Sequence, residues 1–190
     1  MKKIFFSLLC LLNVASCSNT PNAIIIAPVI NQQFNPIYSA NNLSAHIQVQ
    51  DLRANRHVMQ IIKENDVATL INTRNDLSNE VKNSFTQILT QQGLSINENA
   101  ATINIYIDKA LINVQQSLLD YQASNEMVIR IALNNTKKKF IKTFRMHGKS
   151  NGPLKADIAV LERNFNQELS KLITQICNDN EVQQYIKNLS

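Results

Sequence analysis

Apolar and polar residues alternate with a period of two along several stretches of this chain and with a helical period along others. Leu43, Ala45, Ile47 and Val49 alternate with Ser44, His46, Gln48 and Gln50, which predicts a half-buried strand over Leu43 to Asp51. The stretch from Asp51 to Asp66 is ambiguous, with Val58 to Ile62 a candidate short strand leading to Ala68-Thr69-Leu70-Ile71. Ala101, Ile103, Ile105 and Ile107 alternate with Thr102, Asn104, Tyr106 and Asp108, and the strand continues toward Val114. Tyr121 to Leu133 repeats the pattern, and Asn134-Asn135-Thr136-Lys137 supplies hairpin turn chemistry before a returning strand over Lys138 to Gly148, with Phe140, Phe144 and Met146 in phase. Near the start, Ala23 to Ile30 is apolar but holds Pro28, which confines it to an edge strand or a strand end.

The helical period appears first between Asp76 and Gln92. Leu77, Val81, Phe85, Ile88 and Leu89 make one stripe, Asn75 or Asp76 can cap the orphan N–H groups, and Gly93 suits the position just past the end. Gly152-Pro153 breaks the chain before a longer helix over Lys155 to Cys177, with a stripe of Leu154, Ile158, Leu161, Phe165, Leu169, Leu172, Ile173 and Ile176. Asn178 with Glu181 resembles a capping-box restart for a short last helix carrying Val182, Tyr185, Ile186 and Leu189. These elements predict an α+β fold: an antiparallel sheet with two main helices packed on one face, plus a short C-terminal helix.

The first residues belong to a different kind of signal. Lys2 and Lys3 precede the short apolar run Ile4 to Leu12, and small residues lead to Val14-Ala15-Ser16-Cys17. That layout is a secretory signal with a cleavage site, too short to span a membrane. Val14-Ala15-Ser16-Cys17 is similar to a bacterial lipobox, which predicts cleavage before Cys17 and an N-palmitoyl, S-diacylglycerol cysteine there. The expected organisation is therefore a signal peptide over 1–16, a lipidated tether over 17–22 and one α+β periplasmic domain over 23–190. Ser18 follows the lipidated position, and the absence of aspartate there points to the outer membrane.

Export changes what the composition means. The net charge of +5 loses two positive charges with Lys2 and Lys3, and an exported protein does not meet nucleic acid. Cys10 leaves with the signal and Cys17 carries lipid, so Cys177 has no intramolecular disulfide partner and reads as a buried apolar residue.

Chemistry is sparse in the body of the chain. The three glycines (Gly93, Gly148, Gly152) cannot form a phosphate-cradling loop, and no Gly-x-Ser-x-Gly, Ser-x-x-Lys or His-Glu-x-x-His occurs. His46, His57 and His147 lie on different elements, without a ligand at helical spacing. Asp51, Glu64, Asp108 and Glu126 are carboxylates that only the fold could pair. No enzyme, metal or cofactor is expected. The strongest local signal is basic: Lys137, Lys138, Lys139, Lys142, Arg145 and Lys149 with Phe140 and Phe144 between them. Lys139, Lys142 and Arg145 are candidate contacts for an anionic partner such as peptidoglycan or a lipid headgroup. A solvated hairpin that discourages edge aggregation is the alternative.

With these residues in hand, the chain resembles the YajG family of bacterial lipoproteins over nearly its full length. The resemblance rests on Val14-Ala15-Ser16-Cys17, on Ala23 to Val29 with Pro28 inside it, and on Asp51-Leu52-Arg53. It extends to Asp66 to Leu70, Arg74-Asn75-Asp76-Leu77 and Ile186-Lys187. The chain departs from the family by Asn75, inserted between Arg74 and Asp76, and by its lysine-rich hairpin. The resemblance implies a periplasm-facing, outer-membrane lipoprotein but no agreed activity or catalytic residues, and only Cys17 carries over as a functional position.

The expected function is a non-enzymatic envelope protein, held to the membrane by its lipid, that binds unidentified envelope proteins or peptidoglycan. Arg53 and Arg74 are further possible contacts for carboxylate or phosphate. An alternative is an accessory lipoprotein of a lipid or lipopolysaccharide transport machine, with an apolar groove between sheet and helices.

Overall fold

The structure is a computed structural model and describes residues 22–39, 42–134 and 139–189. The expected signal segment, Cys17, Lys137 and Lys138 lie outside the described residues. Eight strands are described: β1 (Ala23–Ile24), β2 (Ser44–Asp51), β3 (Met59–Lys63), β4 (Thr69–Thr73), β5 (Ser95–Ile96), β6 (Thr102–Gln116), β7 (Asp120–Asn134) and β8 (Lys139–Pro153). Helix α1 (Leu77–Gln91) separates β4 from β5, and α2 (Ile158–Cys177) and α3 (Asn180–Lys187) follow β8.

The sheet corrects the expected architecture. It is mixed, not purely antiparallel, and curls into a half-barrel whose core is shared by three helices, so the arrangement with two main helices on one face of an antiparallel sheet does not hold. Long β6 is its axis. Along one edge β6 pairs antiparallel with β7, which pairs antiparallel with β8. Along the other edge it is shared: β2 runs parallel to its first half, from His46↔Thr102 to Asp51↔Ile107, and β3 runs parallel to its second half, from Met59↔Ile112 to Lys63↔Gln116. Strand β4 returns antiparallel to β3, and β1 lies parallel to β4 at the sheet's margin. The physical reason is connection. Alternation marks a strand but not its direction, and the return from β2 to β6 passes through α1, a crossover that brings the chain back in the same sense.

The phase of β6 shifts midway, and the backbone absorbs it. Ile103, Ile105 and Ile107 face the core, then Ala110, Ile112 and Val114 do so at the other parity. A bulge between Ile107 and Lys109 leaves Asp108 without a partner residue in β7 and keeps both apolar sets on one face.

Helix α1 ends as its sequence predicts. Asp76 accepts from the Asn79 N–H at 2.9 Å, and Gly93 follows at φ +88°. A Cβ at Gly93 would lie 2.2 Å from Ser39 Oγ, so both backbone and space demand glycine. Helix α2 starts later than expected. Strand β8 runs on through Gly152 and Pro153, which is tolerated because, among the described residues, β8 pairs only with β7. Leu154 then turns at φ +62° and is exposed, outside the stripe assigned to it, and Asp157 caps α2 through the N–H groups of Ala159 and Val160. Asp179 caps α3 in place of Asn178.

One core joins sheet and helices, with Ile47, Phe85, Ile103, Phe165 and Leu172 fully buried in it. These side chains occupy the space where an acyl-binding groove was the alternative expectation. Cys177 is buried there as expected, and burial pushes its thiol far above the ordinary value.

Candidate functional site

The segment entering the domain is held by side-chain amides in the manner of a strand between two neighbours. At the end of β1, Arg74 N–H donates to Ile24 O at 2.8 Å. Asn75 then takes both groups of Ile26: its Oδ1 accepts from the Ile26 N–H at 3.0 Å and its Nδ2 donates to Ile26 O at 2.6 Å. On the other side Asn166 of α2 accepts from the Ala27 N–H and donates to Ile25 O, both at 2.9 Å, while Glu162 accepts from the Ile25 N–H at 3.1 Å. Even residues are thus satisfied toward β4 and α1, odd residues toward α2. Asn75, one of two candidate caps by sequence, serves this clasp and leaves capping to Asp76. A groove of about 650 Å³ continues beside the clasp between Ala27 to Gln32 and the outer side of α2, where Glu162, Arg163 and Lys171 give it a polar wall.

The basic cluster divides between the two faces of β8. Phe140, Lys142, Phe144 and Met146 share the side turned toward the helices. Lys139 and Arg145 project from the opposite side with Ile141, His147 and Lys149, and no carboxylate lies within ion-pair distance of either among the described residues. Lys142 is engaged inside the molecule. Its Nζ donates to Asp179 Oδ1 and Oδ2 at 2.9 and 2.8 Å and to Glu181 Oε2 at 2.6 Å, and lies 5.4 Å from the Phe144 ring centre. The hydrogen bonds to Asp179 and then Glu181 raise its pKa. Burial works to raise that of Asp179, but the bonds from Lys142 and the α3 N–H groups outweigh it and hold the carboxyl below its ordinary value. Lys142 therefore ties α3 to β8, and the basic row without acidic partners among the described residues consists of Lys139, Arg145 and Lys149. At the Lys149 end of that row lies a trough of about 430 Å³ lined by Asn113, Gln115, Gln122, Ser124, Lys149 and Asn151.

Arg53 closes the gap where β2 leaves β6 and β3 takes over. Its side chain is only 7% exposed. Nε and Nη2 donate to the two Asp51 oxygens at 2.9 and 2.8 Å, and Nη1 reaches His57 O and Ala110 O at 3.4 and 3.3 Å. Burial tends to raise the Asp51 pKa, but the bonds from Arg53 and the charge of Arg56 leave it lowered. Arg53 is thus an internal staple, and no lone ligand contact. Arg74 is exposed and contributes its backbone N–H to β1.

The carboxylates considered for paired acid–base chemistry are dispersed. Asp51 is held by Arg53, Asp108 by Arg130 in a two-bond contact at 3.0 and 2.8 Å, and Glu126 by Lys109, while Glu64 sits exposed on the β3–β4 turn. Arg130 also stacks 4.5 Å from the Tyr106 ring centre, a contact that period-two spacing on adjacent strands does not announce. No group of three or more His, Cys, Asp and Glu side chains suited to a metal occurs among the described residues. No described helix is long and apolar enough to cross a membrane.

Residues 28–187 match a family described as uncharacterized lipoprotein. The chain is 24% identical over 189 residues to the uncharacterized lipoprotein YajG of Escherichia coli strain K12, covering 98% of this chain and 97% of that one. The YajG protein of Escherichia coli O6:H1 matches with the same identity and coverage. Among solved structures, an uncharacterized protein aligns with a TM-score of 0.46 at 9% identity, over 72% of this chain and 90% of that one. A putative neuraminyllactose-binding hemagglutinin homolog from Helicobacter pylori aligns at 0.41 and 10% identity, over 86% and 97% of the two chains.

Proposed function

Since this chain belongs to the YajG family of lipoproteins, we propose that it is a non-enzymatic protein anchored through lipid on Cys17 at the periplasmic side of the outer membrane. There its domain binds anionic cell-wall polymer along the outer face of β8. One observation carries this reading. Lys139, Arg145 and Lys149 stand on one face without acidic partners among the described residues, and Lys149 lines a trough of amides and hydroxyls. Unpaired cations on a sheet face attract a polyanion over a Debye length, and neighbouring amides can hydrogen-bond its sugar or peptide groups.

Retention of the Cys17→Ser chain on purified peptidoglycan tests the binding. Arg145→Glu together with Lys139→Glu should abolish retention, and raising the salt should weaken it in the unaltered surface. Retention indifferent to both changes would refute the basic face as the contact. The anchor has its own test: Cys17→Ser should abolish palmitate incorporation and release the protein from the membrane fraction.

A further inference from the structure

The end of the sheet farthest from the basic hairpin exposes large apolar side chains that the fold does not need. Leu118 and Leu119, at the tip of the β6–β7 hairpin, are 95% and 79% exposed, and Val67 and Leu154 are 85% and 67% exposed. The register brings them to one end. Lys63 pairs with Gln116 in parallel strands, so the β3–β4 turn with Val67 and the Leu118-Leu119 tip leave the sheet side by side. Asp120 pairs with Pro153, and the Leu154 N–H donates to Leu119 O at 2.7 Å.

This end is built rigidly. The Gln116 amide donates to the carbonyls of Ser117, Asp120 and Leu154, and its Oε1 accepts from the Ala156 N–H. The hairpin closes through Ser117 N–H to Asp120 O at 2.9 Å. Such tips ordinarily carry glycine, asparagine or aspartate. Two leucines there, with a third held at positive φ, work against local preference and point to contact with something apolar.

The chain itself says what lies at that end. Strand β1 runs parallel to β4, with Ala23 opposite Asn72, and β4 runs away from the Val67 turn. The chain therefore enters β1 from the Val67–Leu118 end. Cys17 is six residues upstream of Ala23, a reach of about 20 Å at most. In the opposite direction β6 continues about ten residues beyond the level of Ala23, about 33 Å, to the end bearing Lys139. A bilayer holding Cys17 thus lies at the leucine end and cannot lie at the lysine end.

We infer that Val67, Leu118, Leu119 and Leu154 form a membrane-contact surface that inserts into the apolar boundary of the bilayer beside the lipid anchor. The occupant is a lipid surface, and the inference rests on the anchoring of Cys17. The rim carries both signs, Lys63 and Lys155 with Glu64, Asp66 and Asp120, so apolar insertion drives the contact and salt affects it little. Insertion fixes the domain's tilt, with the Lys139 end of β8 directed away from the membrane.

The chain contains no tryptophan, so Leu118→Trp introduces the sole indole. The lipid-modified full chain carrying Leu118→Trp is reconstituted into phosphatidylethanolamine vesicles with and without brominated acyl chains, and Ile141→Trp serves as the control on the outer face of β8. The indole at 118 should shift to the blue and be quenched by the brominated lipid, and the indole at 141 should do neither. Vesicles that float with the protein but leave the indole at 118 unquenched would overturn the inference and leave the anchor standing. Failure to float would refute the anchor instead. The tip is then read in the Cys17→Ser chain at high lipid, where quenching supports insertion and its absence overturns it. In that chain Leu118→Ser with Leu119→Ser should lower vesicle partitioning about tenfold or more. A blue shift that grows with protein concentration without vesicles would assign the tip to a second copy and overturn the bilayer as its occupant.

Discussion

Replacing Arg53 with alanine removes the staple between β2 and β3 and leaves a carboxylate, Asp51, that is itself only 26% exposed on its side chain. Breaking a fully buried ion pair by deleting one partner costs about 3–5 kcal/mol. Asp51 keeps some contact with water, and the contacts to His57 O and Ala110 O are long, so the expected loss is about 2–3 kcal/mol. Arg53→Lys keeps the charge but cannot form the two-oxygen fork and should recover only part of this.

Urea denaturation of the Cys17→Ser chain measures both variants, and Asp51→Asn completes a double-mutant cycle whose coupling should be about 1–2 kcal/mol. The pH dependence follows from the sign of the shift. The Asp51 carboxyl is lowered in the folded chain, so its contribution is fully present above its unfolded value of about 3.9 and is lost as pH falls through the lower folded value. Arg53→Ala should flatten that acid limb. A loss under about 0.5 kcal/mol, or full recovery by lysine, would refute the staple.

The two asparagines of the clasp should differ in cost. Asn75→Ala orphans both backbone groups of fully buried Ile26 and should cost about 2–3 kcal/mol, whereas Asn166→Ala leaves exposed groups to water and should cost about 0.5–1; equal costs by denaturation would contradict this. Lys142→Met should destabilise by about 1–2 kcal/mol and accelerate amide exchange in α3, with the wild-type advantage declining on acidification as the Asp179 carboxyl protonates. Exchange unchanged in α3 would refute the tie. The Tyr38 hydroxyl is buried without a partner among the described residues, so Tyr38→Phe should be neutral or stabilise by up to about 1 kcal/mol, checked by thermal unfolding.

The local elements were legible where a residue's neighbours in sequence are also its neighbours in space. The stripe from Leu77 to Leu89, with Asp76 before it and Gly93 after it, defines α1 almost to the residue. The phase change in β6 from Ile107 to Ala110 is written in the sequence and requires the bulge at Asp108. Leu154 shows the limit of spacing. It stands four residues before Ile158 and matches the α2 stripe, yet Asp157 sets the start of the helix and Leu154 faces outward. Strand direction was not legible because alternation is identical read either way. Period-two spacing puts Lys142 on the side of Phe140 and Phe144, although the expected contacts grouped it with Lys139 and Arg145. Its acidic partners, however, come from a helix 37 and 39 residues later. The roles of Arg53 and Asn75 depend on breaks between elements, where no period exists to read.

The entry of the chain has a mechanical meaning. Tension applied upstream of Ala23 acts along the axis of β1, so the bonds to β4, Asn75 and Asn166 are loaded together in shear and not opened in succession as in a peeled strand. The load divides between the root of α1 and the flank of α2, both seated in the central core. A domain pulled by its leader in a moving envelope therefore resists unravelling from that end. The two asparagines carry that load together with the β1–β4 pairing.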